Sequence, residues 1–228
     1  MKSNTSEPIY YLHDNIGRVE LINVSGNDLA VVNAAKVSFN NQAEEMSEKE
    51  IKLLKYLADN QHLSPFEMSQ FTFRIKAPLF VIQQILRHRM SSFNQVSHRY
   101  VEIEEEFYIP IQFRLQSKSN KQASGDNVDF KHNLSAIQDY RVAIETSLRI
   151  YKSLIQSGVA REMARGVLPT ATYSEILYTA NFRSLLNFLQ LRLDKHAQIE
   201  IQKLAQAILK LVKDDGSFKE TLRVFGLS

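Results

Sequence analysis

The chain of 228 residues contains no cysteine, which excludes disulfides, cysteine zinc sites and a thiolate nucleophile. Its seven glycines form neither G-x-G-x-x-G nor G-x-x-x-x-G-K-S/T. With no Rossmann fingerprint and no P-loop, any dinucleotide must be held largely by side chains. No apolar run approaches the roughly 20 residues of a membrane helix. Met1-Lys2-Ser3-Asn4-Thr5 leads into no apolar signal region, so a cytoplasmic protein with no membrane partner is expected. Excess charge of one sign is also lacking. A formal net charge of +3 is too weak to argue for nucleic acid, and the clustering of arginines is more informative than their total. Apolar content of 44% and charged content of 23% are ordinary for a soluble globular chain with an ample core.

Hydrophobic periodicity places the elements. Residues 18–24 alternate and read as a strand opening after Gly17. A turn at Gly26-Asn27-Asp28 follows, then a short helix or strand through Val32. Ser47 and Glu50 form a capping box for a helix reaching about Asn60. Residues 69–77 are a period-2 strand, and 107–110 look like a strand end. Polar residues 114–132 read as a mobile surface loop. Residues 133–156 form a long amphipathic helix stopped by Gly158, and 159–168 a shorter one ending at Pro169. Residues 170–179 read as strand, with 184–194 and 200–213 as closing helices. Neither repeat nor linker is present, so one α+β domain spanning 1–228 is expected.

The densest chemistry lies at residues 87–100, Arg-His-Arg-Met-Ser-Ser-Phe-Asn-Gln-Val-Ser-His-Arg-Tyr. The apolar run 78–86 feeds it, with Pro78 suited to the first turn of a helix. Gln84, Arg87 and His88 then share a helical face at i, i+3 and i+4. If 95–100 is extended, Gln95, Ser97 and Arg99 point one way. Two rows of donors make an anion site; a solvated basic loop is the competing reading. Glu102, Glu104, Glu105 and Glu106 follow and offer partial compensation.

Three further clusters stand out. His62-x-Ser64-Pro65-Phe66-Glu67 precedes a strand, and alone would be a turn with a surface histidine. In Arg161-Glu162-Met163-Ala164-Arg165, Glu162 and Arg165 at i, i+3 suit an ion pair worth a few tenths of a kcal/mol. In the run 181–192, Asn181, Arg183, Asn187 and Arg192 interleave with Leu185, Leu186, Phe188 and Leu189. Such polar groups need partners, internal or external.

The spacing of the 87–100 stretch resembles the signature of the flavin-dependent thymidylate synthase family, and similar segments recur in family order from about Ala34 to Ile201. Two positions depart: Gln95 stands where the family usually has glutamate, and Met68 where it often has histidine. The resemblance implies reductive methylation of dUMP to dTMP, with methylenetetrahydrofolate as carbon donor, FAD as hydride carrier and NADPH as reductant. It implies a mixed or antiparallel sheet flanked by long helices and a homotetramer. It assigns FAD binding to Ser38, His62, Ser64, Glu67, Arg87, His88, Arg89, Asn94, Gln95, Asn181, Arg183, Asn187 and His196. It assigns the nucleotide to Gln84, Arg87, Gln95, Val96, Ser97, His98, Arg99, Arg165 and Arg192, with Arg192 stabilising charge on the uracil. Cysteine-dependent thymidylate synthesis is excluded. Ser97 reads as a ligand rather than a nucleophile, because no triad surrounds it. Neither a metal nor a nucleic-acid partner is expected. A basic nucleic-acid-binding module using Phe93 and Tyr100, or a flavoprotein NADPH oxidase, are the alternatives.

Overall fold

In the computed structural model, residues 6–118 and 124–227 are described. A five-stranded antiparallel sheet forms the centre. Its members are β1 (Ile9–Tyr10), β2 (Arg18–Ser25), β3 (Gln70–Pro78), β4 (Ser91–Gln95) and β7 (Tyr173–Asn181), in the order β1-β2-β3-β7-β4. Strand β3 pairs with β7 along its whole length, from Gln70 opposite Asn181 to Pro78 opposite Tyr173. Alternation explains its burial: Phe71, Phe73, Ile75 and Ala77 face the core at 0% exposure, while Gln70 and Arg74 point out.

The segment after β2 resolves as helix α1 (Asp28–Lys36), with Asn27 as N-cap accepting from Ala30 N–H. Helix α2 (Glu48–Asp59) is capped by Ser47, as expected. Glu50, though, bonds the Ser47 hydroxyl and Lys36 instead of reaching back to a backbone amide. Pro78 does not open a helix. It ends β3 in an extended conformation and acts as N-cap of α3 (Leu79–Ile85), where its missing N–H is equally harmless.

The expected loop 114–132 carries, in its described parts, the short strands β5 (Arg114–Gln116) and β6 (Ser124–Asn127); its residues 119–123 lie outside the described set. Helix α4 (Phe130–Gln156) starts three residues earlier than the periodicity indicates, because Asp129 caps it. The helix expected over 159–168 is a single turn, α5 (Arg161–Ala164), continued by a 3₁₀ turn. Helices α6 (Phe182–Arg192), α7 (Ile199–Asp215) and α8 (Lys219–Val224) complete the chain. The sequence pattern missed α8. It is tied down from afar by Asp28, whose buried carboxylate accepts from Glu220 N–H (2.8 Å), Thr221 N–H (2.8 Å) and the Thr221 hydroxyl (2.6 Å).

One contiguous apolar core joins the sheet to α3, α6, α7 and α8, with a small satellite around Ile103, Tyr151 and Ala164. Helix α4 lies largely outside that core, burying only Asn133, Ile144 and Tyr151 of its 27 residues. Among the described residues no helix is long and apolar enough to cross a membrane.

Candidate functional site

The 87–100 stretch divides between two cavities. Helix α3 ends at Ile85, with Leu86 as its C-cap, so Arg87 leaves the helix and is exposed while His88 turns inward. The expected common face of Gln84, Arg87 and His88 is therefore not formed. The chain then enters β4, pairing with β7 from Ser91 opposite Ala180 to Gln95 opposite Ile176. Beyond Gln95 the strand does not continue to Tyr100: the Ser97 carbonyl accepts from Tyr100 N–H (2.9 Å) and Val101 N–H (3.2 Å), closing a turn.

The first cavity, of about 910 Å³, is lined by Glu67, Arg87, His88, Arg89, Ser91, Asn181, Arg183, Asn187 and Arg192. Antiparallel pairing explains the convergence. Strand β7 places Asn181 beside the start of β3, and α6 begins at once, presenting Arg183, Asn187 and Arg192 from one helix. Asn181 commits its amide oxygen to capping α6 through Ser184 N–H (2.8 Å). Arg183 pairs with Glu67 at 2.5 Å. Arg192 is held on three sides: Nε donates to His88 Nε2 (3.0 Å), Nη2 to the Gln84 carbonyl (3.0 Å) and Nη1 to Gln84 Oε1 (3.5 Å).

Burial, seconded by the nearby Arg192 charge, pushes the His88 pKa from 6.5 to about 4. Its ring is therefore neutral near pH 7 and can accept from the guanidinium. The ring also packs edge-on against Phe188, 4.9 Å between centroids.

The second cavity, of about 490 Å³, is lined by Gln95, Val96, Ser97, His98, Glu162 and Arg165, with Leu79, Leu168 and Thr172. Gln95 donates to the Ser174 hydroxyl (3.2 Å). The Val96 N–H, expected to help hold an anion, is already bonded to the Glu175 carbonyl (2.9 Å). His98 keeps both ring nitrogens buried without a hydrogen-bond partner. Burial and then the charge of Arg165 lower its pKa below the usual imidazole range, with Glu104 opposing. The expected Glu162–Arg165 pair does not form; Glu162 bonds Arg99 instead (3.2 Å).

The acidic run after the stretch does not neutralise it. Glu102 pairs with Arg161 (3.0 Å), Glu105 with Lys152 (2.6 Å), and both Glu104 and Glu106 with the buried Lys76. Among the described residues Arg87, Arg89 and Arg165 have no ion pair. Three unpaired guanidinium groups at the walls of two cavities are donors waiting for an anion.

Several expected residues lie outside both cavities. Ser38 sits on an exposed 3₁₀ turn after α1, and His62 is exposed with its ring 5.8 Å from that of Tyr56. Ser64 opens the 3₁₀ turn that carries Glu67, and Asn94 faces solvent on β4. His196 is not one helical turn beyond Arg192, because α6 stops there; its Nδ1 meets Asp194 (2.9 Å) in the following turn. Gln84 lines neither cavity but grips Arg192. Conversely, Asp59, Gln61, Val224 and Phe225 line the first cavity and carried no motif. The α8 residues could have been sought through the apolar spacing of Phe218, Leu222 and Phe225.

The family model for thymidylate synthase complementing protein matches residues 20–215. A flavin-dependent thymidylate synthase of Thermosipho africanus is 43% identical over 198 residues, covering 87% of this chain and 86% of its own length. That of Kosmotoga olearia is 44% identical over 197 residues, covering 86% and 85%. Among solved structures, the UMP/dUMP methylase PolB of Streptomyces cacaoi bound with 5-Br dUMP superposes with a TM-score of 0.81 at 33% identity. The match covers 91% of this chain and 94% of that one. The same enzyme bound with 5-Br UMP gives 0.80 at 31% identity, over 99% and 95%. With the sheet order, the two arginine-walled cavities and these likenesses together, the chain belongs to the thymidylate synthase complementing protein family, the flavin-dependent thymidylate synthases.

Proposed function

We infer that the protein methylates dUMP to dTMP using a bound flavin. The observation that carries this reading is the set of unpaired guanidiniums, Arg87 and Arg89 at the first cavity and Arg165 at the second. Each charge-assisted bond from such a group to phosphate is worth about 1.5–3 kcal/mol. The first cavity suits a flavin dinucleotide. Arg87 and Arg89 would meet its pyrophosphate, and Asn187, Arg183 with Glu67, and the orphaned Ser91 hydroxyl its polar edges. When bound, the flavin supplies the hydride that takes the transferred carbon from the methylene to the methyl oxidation level.

The second cavity would take the uridylate phosphate, held by Arg165 and the Ser97 hydroxyl, with Arg99 braced by Glu162 at its edge. Arg192 would lie beside the N3–C=O side of the uracil and stabilise negative charge as C5 becomes nucleophilic. Its rigid three-point mounting suits that task, because a preorganised donor need not reorient as charge develops. Methylenetetrahydrofolate as carbon source and NADPH as reductant balance the reaction. The folate carbon must gain two electrons, and no side chain here can supply them.

Arg165 and Arg192 front different cavities of one chain. A homotetramer would let the second cavity of one copy face the first cavity of another. Helix α4 supports this, with Leu134 and Val142 about half exposed and Phe130 78% exposed. The test has two readings. Purified protein should show a visible flavin spectrum that changes on adding dUMP, and should release tritium from C5 of labelled dUMP when folate and NADPH are present. NADPH oxidation without tritium release would refute methyl transfer.

A further inference from the structure

We propose that the His98 imidazole is a ligand of the nucleotide phosphate in the second cavity and takes up a proton as it binds, so that dUMP and a proton enter the site together. The proposal rests on the assignment of that cavity to the uridylate above.

Four of the six histidines place a ring nitrogen in a hydrogen bond. His13 meets the Ile109 carbonyl (3.0 Å), His88 meets Arg192 (3.0 Å), His132 meets Asp129 and His196 meets Asp194 (2.9 Å). His62 is exposed. His98 alone keeps both ring nitrogens buried with no partner among the described residues. Buried polar atoms are nearly always bonded, so a pair left over in a cavity wall marks the place of a ligand. The wall is that of the second cavity, where His98 stands with Ser97 and Arg165.

The charges around the ring say which ligand. Arg165, at the start of the 3₁₀ turn after α5, is near enough for its charge to disfavour an imidazolium. Glu104 opposes that effect but is bonded to Lys76, and Glu162 of α5 is paired with Arg99 (3.2 Å). Leu79 and Thr172, from α3 and the approach to β7, add no titratable group. Both carboxylates are thus committed elsewhere. A second cation beside Arg165 is stable only with anionic charge between the two, and a phosphate dianion supplies that charge and several acceptor oxygens. Its arrival offsets the repulsion from Arg165 and offers the imidazolium N–H a charge-assisted bond. The proton comes from solvent and adds to the unprotonated ring nitrogen; no other bond is made or broken. Phosphate therefore raises the affinity of His98 for its proton. By linkage, dUMP binding tightens as the pH falls through the pKa of the bound state and levels off below that of the unbound state.

Titration calorimetry of the flavin-loaded full chain with dUMP at pH 7.5, in two buffers of different ionisation enthalpy, counts the protons exchanged. At that pH the nucleotide phosphate, with a second pKa of about 6, is already dianionic and contributes little. Wild type should take up between about half and one proton per site. His98→Gln still donates a hydrogen bond but cannot titrate; it should take up none and bind dUMP about three- to tenfold more weakly. Deoxyuridine, which lacks the phosphate, should bring no proton into wild type. Binding of dUMP without proton uptake, uptake unchanged in His98→Gln, or equal uptake with deoxyuridine would overturn the proposal. The two wild-type counts decide the matter even where the variant fails to fold. Wild-type protein that binds no dUMP would instead overturn the assignment of the cavity, so the two failures are distinguishable.

Discussion

At the scale of single residues, His88 and Gln95 make the sharpest predictions. His88 is buried and neutral in the folded state, with a pKa near 4 against 6.5 when unfolded. The unfolded chain binds a proton first as the pH falls, so stability present above pH 6.5 is lost on the way down toward 4. The loss should be on the order of 2 kcal/mol, discounted from the full shift because water still reaches part of the ring. Urea melts at pH 7 and pH 4.5 should record it, and His88→Gln should flatten the dependence. Gln95 lines the cavity assigned to the dianionic phosphate. Gln95→Glu should weaken dUMP binding about five- to tenfold through like-charge repulsion, read from the flavin absorbance during titration. Tighter binding would contradict the placement of the phosphate.

Among the elements, α8 shows how a site can depend on a residue at the other end of the chain. Its first turn has no cap of its own and relies on Asp28 of α1. Asp28→Ala leaves buried amides unsatisfied and should cost about 2–3 kcal/mol, lowering Tm by roughly 5–10 °C for a chain of this size. Because α8 delivers Val224 and Phe225 to the first cavity, the variant should also release flavin more readily on gel filtration. Gly26, at φ +96°, guards the same corner: an added Cβ would sit 2.3 Å from the Ser69 hydroxyl. Gly26→Ala should therefore destabilise by about 1–3 kcal/mol, measurable in the same melts.

For the whole molecule, most elements were legible because their apolar spacing is strong. Strands β2 and β3 and helices α2, α6 and α7 all lie within a few residues of their expected bounds. What was misread shares one cause: local pattern yields to tertiary contact. Pro78 reads as a helix starter, yet pairing with Tyr173 keeps it in β3. Residues 95–100 alternate in character, yet only 91–95 find a partner in β7, and an unpaired strand has no reason to continue. Glu162 and Arg165 have helical spacing, but Arg99 outcompetes the intrahelical pair. On gel filtration with light scattering the protein should run as four copies, since one chain separates the two arginine sites.

The sequence by itself determined the family, the α+β class and the identity of the arginines, because donor type and spacing are written directly in the chain. Only the tertiary structure decided which arginines remain unpaired and which cavity each one faces. Those outcomes depend on partners such as Arg161, Lys152 and Lys76 drawing the acidic run away. Competition among charges brought together from distant positions is settled by three-dimensional distance, and no reading along one dimension contains it.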